Sequence, residues 1–244
     1  MGTTVPSPQP PTDSGTHDGR PYLLWLPGTE PPWLGMVILH GAGSKKENHA
    51  DFGRACAAAG WAALAYDQRG HGEGDDEMSP GVLGDVGRMA GFLATTDGVD
   101  ASLTCVRGSS MGGLIAIHAA ATADSIAGAI AICPAREDGL ARELRSERPS
   151  IRVGARGRAA LAAWLAEHDV REAVELMGEK PLLLIHARGD QTIPYQWSSE
   201  LYERAAEPRK LILVPGGHHR SAQHDAELQG VALRWLSRAL AAAG

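Results

Sequence analysis

Ser110 stands in Gly108-Ser109-Ser110-Met111-Gly112, directly after the apolar run Leu103-Thr104-Cys105-Val106 and before the small, helix-prone stretch Gly113 to Ala123. A G-x-S-x-G pattern at a strand-to-helix junction is a nucleophile elbow. The turn is so tight that the serine takes a strained backbone conformation, and the residues two before and two after it must lack side chains. Moving the frame to Ser109 would put Arg107 and Met111 at the positions that have to be small, which fails on sterics. Ser110 is therefore the candidate nucleophile.

A neutral hydroxyl attacks poorly, so a histidine must take its proton, and that imidazole needs a carboxylate on its other nitrogen. Asp190 follows the apolar run Leu182–Ile185, and the pair His218-His219 follows Leu211–Val214 in Pro215-Gly216-Gly217-His218-His219. Negative charge developing on a substrate oxygen needs preorganised donors. The backbone N–H of Met111 at the helix start is one candidate. The other is the N–H of Ala42, in the loop His40-Gly41-Ala42-Gly43 after Met36–Leu39.

The elements that must position these groups are legible as alternation. The apolar runs Met36–Leu39, Ala62–Tyr66, Leu103–Val106, Ile126–Cys133, Leu182–Ile185 and Leu211–Val214 read as strands, with Tyr22–Leu26 as an antiparallel edge strand. Helical patterns lie near His49–Ala59, Val82–Ala94, Met111–Ala123, Ser198–Ala206 and Glu227–Ala242. Apolar strands separated by helices predict a mostly parallel sheet covered on both faces, with ligands beyond the carboxyl ends of the strands. Each candidate residue stands just after such a strand.

One segment breaks the rhythm. Residues 135–180 are too long for a simple connection and predict a small inserted cap, with one helix over 157–177. Seven arginines face four acids between Arg136 and Arg158, which reads as a solvated face. Trp164 in the cap, with Tyr195 and Trp197 after Asp190, are candidates to line a substrate pocket. The Pro-, Ser- and Thr-rich residues 1–20 read as a flexible leader, leaving one domain over 21–244.

Together these motifs resemble the α/β-hydrolase fold superfamily. They are His40-Gly41-Ala42-Gly43, Asp67-Gln68-Arg69-Gly70-His71-Gly72, the elbow, Gly189-Asp190 through Pro194, and Gly216-Gly217-His218-His219. The Asp-x-Arg-Gly-His-Gly element is similar to the serine esterase, monoglyceride-lipase and serine-aminopeptidase-like branch. The resemblance implies an eight-stranded, mostly parallel sheet and a catalytic Ser-Asp-His order along the chain. It selects His219 over His218, because the base usually stands three residues after the first glycine of that turn. It also implies hydrolysis through an acyl-enzyme intermediate. A carboxylesterase on small or medium acyl esters is the expected activity; a peptidase or thioesterase on the same triad, or a non-catalytic ligand-binding protein, are the alternatives.

Other clusters have plainer readings. Asp138 and Glu137 compete with Asp190 only weakly, and His224 reads as surface. His40, His71 and His186 read as structural hydrogen-bonders. The Gly41–Lys46 loop lacks both the third glycine of a dinucleotide fingerprint and the phosphate-loop spacing. Glu73, Asp75, Asp76 and Glu77 read as a solvated loop, so neither a metal nor a cofactor is expected. The net charge of −6 argues against a nucleic-acid binder. No apolar run approaches a membrane span, and two of the three cysteines lie in apolar runs that read as buried strands, which predicts reduced thiols and a cytoplasmic protein; a monomer or homodimer is expected.

Overall fold

The computed structural model describes residues 9–243. The apolar runs become eight strands: β1 (Asp13–His17), β2 (Arg20–Trp25), β3 (Trp33–Leu39), β4 (Trp61–Tyr66), β5 (Val99–Ser109), β6 (Ala129–Ile132), β7 (Leu182–Ala187) and β8 (Arg209–Val214). They form one sheet in the order β1-β2-β4-β3-β5-β6-β7-β8. The pairings β1/β2 and β2/β4 are antiparallel and all others parallel. Strand order reverses around β3, whose neighbours are β4 and β5. A reversal of this kind opens a crevice at the carboxyl ends of the two strands flanking it, here β3 and β5.

Alternation along the strands splits the core into two layers. Val37 and Leu39 of β3 point to one side, which is covered by α2 (Val82–Ala94), α3 (Met111–Thr122), α6 (Val170–Leu176) and α7 (Gln196–Arg204). Met36 and Ile38 point to the other side, under α1 (Ala50–Ala58) and α8 (Ala226–Ala243). α3 is apolar around nearly its whole circumference because sheet, α2 and α6 enclose it.

Three expectations need correction. Residues 13–20 are not leader: Thr16 and His17 pair with Pro21 and Arg20 across a hairpin turn at Asp18-Gly19, both at positive φ (46° and 72°). Two successive residues of that conformation suit the right-handed twist of flanking strands. The strand Tyr22–Leu26 is accordingly not an edge, since β1 lies outside it. Of the expected leader, residues 1–8 lie outside the described residues. The single helix over 157–177 is two, α5 (Ala155–Glu167) and α6, with α4 (Glu137–Arg145) before them. The break comes at Asp169, whose carboxylate accepts the Arg171 N–H at 2.8 Å and caps α6.

Candidate active site

The elbow has the geometry its glycines require. Ser110 sits between β5 and α3 at φ 53°, ψ −120°, a conformation sparsely populated by residues with a side chain. Its N–H donates to the Ile132 carbonyl at 2.9 Å, and its carbonyl accepts from Ala135, Gly113 and Leu114. A Cβ on Gly108 would lie 1.9 Å from the Gly112 carbonyl oxygen. One on Gly112 would meet the Leu39 and His40 carbonyls at 2.4 and 2.6 Å. The two small positions thus have different causes: the first clears the turn itself, the second lets α3 abut the end of β3.

Asp190 and His219 meet as the chain order implied. Asp190 Oδ2 accepts from His219 Nδ1 at 2.7 Å, while Oδ1 accepts the Thr192 and Ile193 amides at 2.8 and 3.0 Å. Burial alone would raise the Asp190 carboxyl, but the His219 bond and these amides outweigh it and hold it below its usual range. His219 is half-buried and lines, with Ser110 and Ala42, two cavities that meet at the elbow. His218 lines the same cleft but makes no bond to Asp190: its Nδ1 accepts the Arg220 amide at 3.3 Å, and its backbone N–H donates to Ser221 Oγ. Asp138 is tied to Arg136 and Arg142, and Glu137 accepts the Val170 N–H. His219 and Asp190 are therefore the histidine and carboxylate that the fold brings together.

Two further groups touch the acid and were read as ordinary core. His186 Nε2 lies 3.3 Å from Asp190 Oδ2 and 3.0 Å from the Ile193 carbonyl, with Nδ1 2.7 Å from Ser198 Oγ. A carbonyl can only accept, so Nε2 carries the proton and Nδ1 accepts the Ser198 hydroxyl. Cys133 ends β6 in a positive-φ turn (44°), and its thiol, an Asp190 oxygen and a His219 ring nitrogen lie within 4.8 Å of one another. Burial pushes that thiol up to about 12. These three are the only metal-spaced group among the described residues. Asp190 and His219 are already bonded to each other there, so an ion would compete with the pair.

The Asp67–Gly72 element acts on the loop that carries Ala42. Gln68 donates its side-chain amide to the His40 carbonyl at 2.6 Å and its backbone N–H to His40 Nε2 at 3.1 Å. His40 Nδ1 faces the Gly41 carbonyl at 2.9 Å, and burial pulls this imidazole down to about 4, so it stays neutral. Asp67 accepts both the backbone N–H and the Nζ of Lys46 at 2.9 Å. Arg152 of the cap reaches the His71 carbonyl at 2.9 Å. These bonds hold both ends of the His40–Lys46 loop, whose Ala42 lines the same cavities as Ser110. Met111 N–H belongs to the first turn of α3, where amides have no helical partner.

Nothing places Trp164, Tyr195 or Trp197 in the cleft beside Ser110. Trp164 packs edge-on against His118 of α3, centroids 4.9 Å apart, and fills an apolar seam under the cap. Trp197 is buried on α7 beneath the Arg136 guanidinium. Tyr195 lies under Arg188. Trp164 and Trp197 are drawn to the cap-to-core interface, whereas Tyr195 stays half-exposed. The cleft, about 950 Å³, is lined instead by Leu140, Ile193 and Pro194 together with Arg136, Arg142 and Arg220. The arginine-rich stretch is thus only partly a solvated face.

Comparison with known proteins agrees with this architecture. The family described as serine aminopeptidase, S33 matches residues 31–148. Uncharacterized protein YfhR of Escherichia coli (strain K12) is 53% identical over 45 residues, which are 18% of this chain and 16% of that protein. Uncharacterized protein YqkD of Bacillus subtilis (strain 168) is 28% identical over 199 residues, 75% of this chain and 64% of that protein. The matches therefore span less than two thirds of these relatives. Est1E from Butyrivibrio proteoclasticus, with ferulic acid bound, superposes at a TM-score of 0.76 and 23% identity, over 95% of this chain and 100% of that one. No helix among the described residues is long and apolar enough to cross a membrane. With an eight-stranded sheet, an elbow at its reversal point and these matches, the chain has the α/β-hydrolase fold.

Proposed function

We propose that the protein is a serine hydrolase, a carboxylesterase of small or medium acyl esters. Ser110 attacks the carbonyl while His219 takes its proton through Nε2. Asp190 holds the Nδ1–H tautomer and stabilises the imidazolium that forms. The Ala42 and Met111 amides receive the oxyanion. His219 then protonates the leaving alcohol and activates the water that releases the acid. The observation that carries this reading is the 2.7 Å Asp190–His219 bond at the rim where Ser110 is held half-exposed in a strained turn.

An aminopeptidase reading of the same triad would require a free carboxylate for the substrate's ammonium group. The two acids of the cleft are engaged: Asp138 by Arg136 and Arg142, and Glu143 by the Ser150 amide and hydroxyl, each at 2.7 Å. That favours esters. The test is labelling with a fluorophosphonate, followed by a screen of p-nitrophenyl esters, acyl thioesters and aminoacyl p-nitroanilides. The wild type should label at Ser110 and turn over the esters. Absence of labelling, or turnover of the anilides alone, would sink the proposal.

A further inference from the structure

Two cavities meet at Ser110, sharing Ala42, His219 and Arg220, and they differ in charge. The cap-side cleft mixes three arginines with Asp138 and Glu143. The other, about 390 Å³, lies on the side of the Gly41–Ser44 loop. Its polar lining comes from Ser44, Asn48, His49, Arg220, Gln223 and His224, and no carboxylate lines it. Two acids stand behind lining histidines: Asp190 is bonded to His219 at 2.7 Å, and Asp51 is held by His224 Nδ1 at 3.0 Å and the Gln229 amide at 2.8 Å.

Behind this wall is a buried cation. Arg107 of β5 is fully enclosed, and its partners are neutral: His49 Nδ1 at 2.8 Å and the Gln223 carbonyl at 3.1 Å. A guanidinium only donates, so His49 Nδ1 is the accepting nitrogen and Nε2 carries the proton. That Nε2–H is buried without an acceptor, in a residue that is 1% exposed. An unsatisfied buried donor is costly. Arg220, at the neck between the cavities, enters none of the ion pairs formed by the described residues around it.

We propose that this second cavity is a subsite for an anionic group of the substrate, a carboxylate or a phosphate a few bonds from the scissile ester. The inference rests on the esterase reading of Ser110, Asp190 and His219. Arg220 supplies the exposed charge at the entrance, Arg107 a fixed positive field from behind, and the His49 and Asn48 side chains hydrogen-bond donors. An oxyanion accepts from all of them, whereas a neutral alkyl group would leave these donors without partners.

The experiment compares kcat/KM for phenyl acetate, 4-acetoxybenzoate and 4-acetoxyphenyl phosphate, with p-nitrophenyl butyrate and p-nitrophenyl hydrogen succinate as the acyl-side pair. At least one anionic ester should exceed its neutral partner by about tenfold at low salt, and the advantage should shrink as ionic strength rises. The arm that shows it identifies the carboxylate or phosphate and the half of the substrate that bears it. In Arg220→Gln the anionic-to-neutral ratio should fall about tenfold, with partial recovery in Arg220→Lys; His49→Gln should lower the same ratio. Neutral esters preferred in every pair, or a ratio unmoved in Arg220→Gln, would overturn the subsite. Fluorophosphonate labelling of Ser110 in the same preparations reports separately on the triad.

Discussion

Single side chains divide the work at the rim, and their substitution should show how tightly it is shared. A nucleophile and its base act as one unit, so removing either removes the proton-coupled attack. Ser110→Ala, His219→Ala and the double variant should each lose turnover by a similar factor, on the order of 10⁶. His218→Ala should keep most activity, because its neighbour holds the bond to Asp190. A steady-state rate series checks both; inactive His218→Ala beside active His219→Ala would reverse the assignment. The candidates Ser110, Asp190 and His219 could be picked from sequence because the proposed chemistry dictates their types, and the structure brings Asp190 and His219 into contact. His186 and Cys133 could not. Each sits in an apolar run that looks like core, and only the folded chain turns it toward the Asp190 carboxylate.

Elements place those side chains, and two backbone features decide whether they succeed. Because a Cβ on Gly108 or Gly112 would overlap backbone rather than a movable side chain, Gly108→Ala and Gly112→Ala should each destabilise by about 3 kcal/mol. Urea unfolding midpoints would show it. Asp169→Ala should cost about 1 kcal/mol through loss of the α6 cap. Helices and parallel strands were legible because their apolar periods are strong: Val82–Ala94 has the same bounds in sequence and structure. The hairpin of β1 has no such signal beyond Asp18-Gly19, since Asp13-Ser14-Gly15-Thr16 is polar and exposed. The cap helices were misjudged for a similar reason. Leu161 and Leu165 of α5 and Val170 and Val174 of α6 each keep the i, i+4 spacing, and the change of phase between the pairs, at a break made by a single capping carboxylate, is a weak signal in so short a segment.

Across the whole molecule, buried histidines set the acid limit. His40 and His118 are each brought down to about 4 by burial, and His49, His71 and His186 are lowered for the same leading reason. In the unfolded chain these imidazoles titrate near pH 6.5. The unfolded state therefore binds more protons as pH falls through that value, and native stability, fully present above it, is lost progressively toward pH 4. Each tenfold difference in proton affinity is worth about 1.4 kcal/mol. Melting temperatures measured from pH 7.5 down to 4 should fall steeply below 6.5, and a flat profile would contradict the burial of these rings. The clefts that such a scaffold surrounds were beyond sequence reasoning, because Arg107, Arg220 and His49 come from distant parts of the chain.

His219 hangs from the loop after β8, the last strand of the sheet, with every residue of that strand only half-buried. Ser110 rises from an interior strand enclosed on both sides. Fraying begins at margins with few apolar contacts. On warming, the proposed base should therefore drift out of register while the Ser110 hydroxyl is still rigidly held. Heat would silence the molecule reversibly, some degrees before cooperative melting begins.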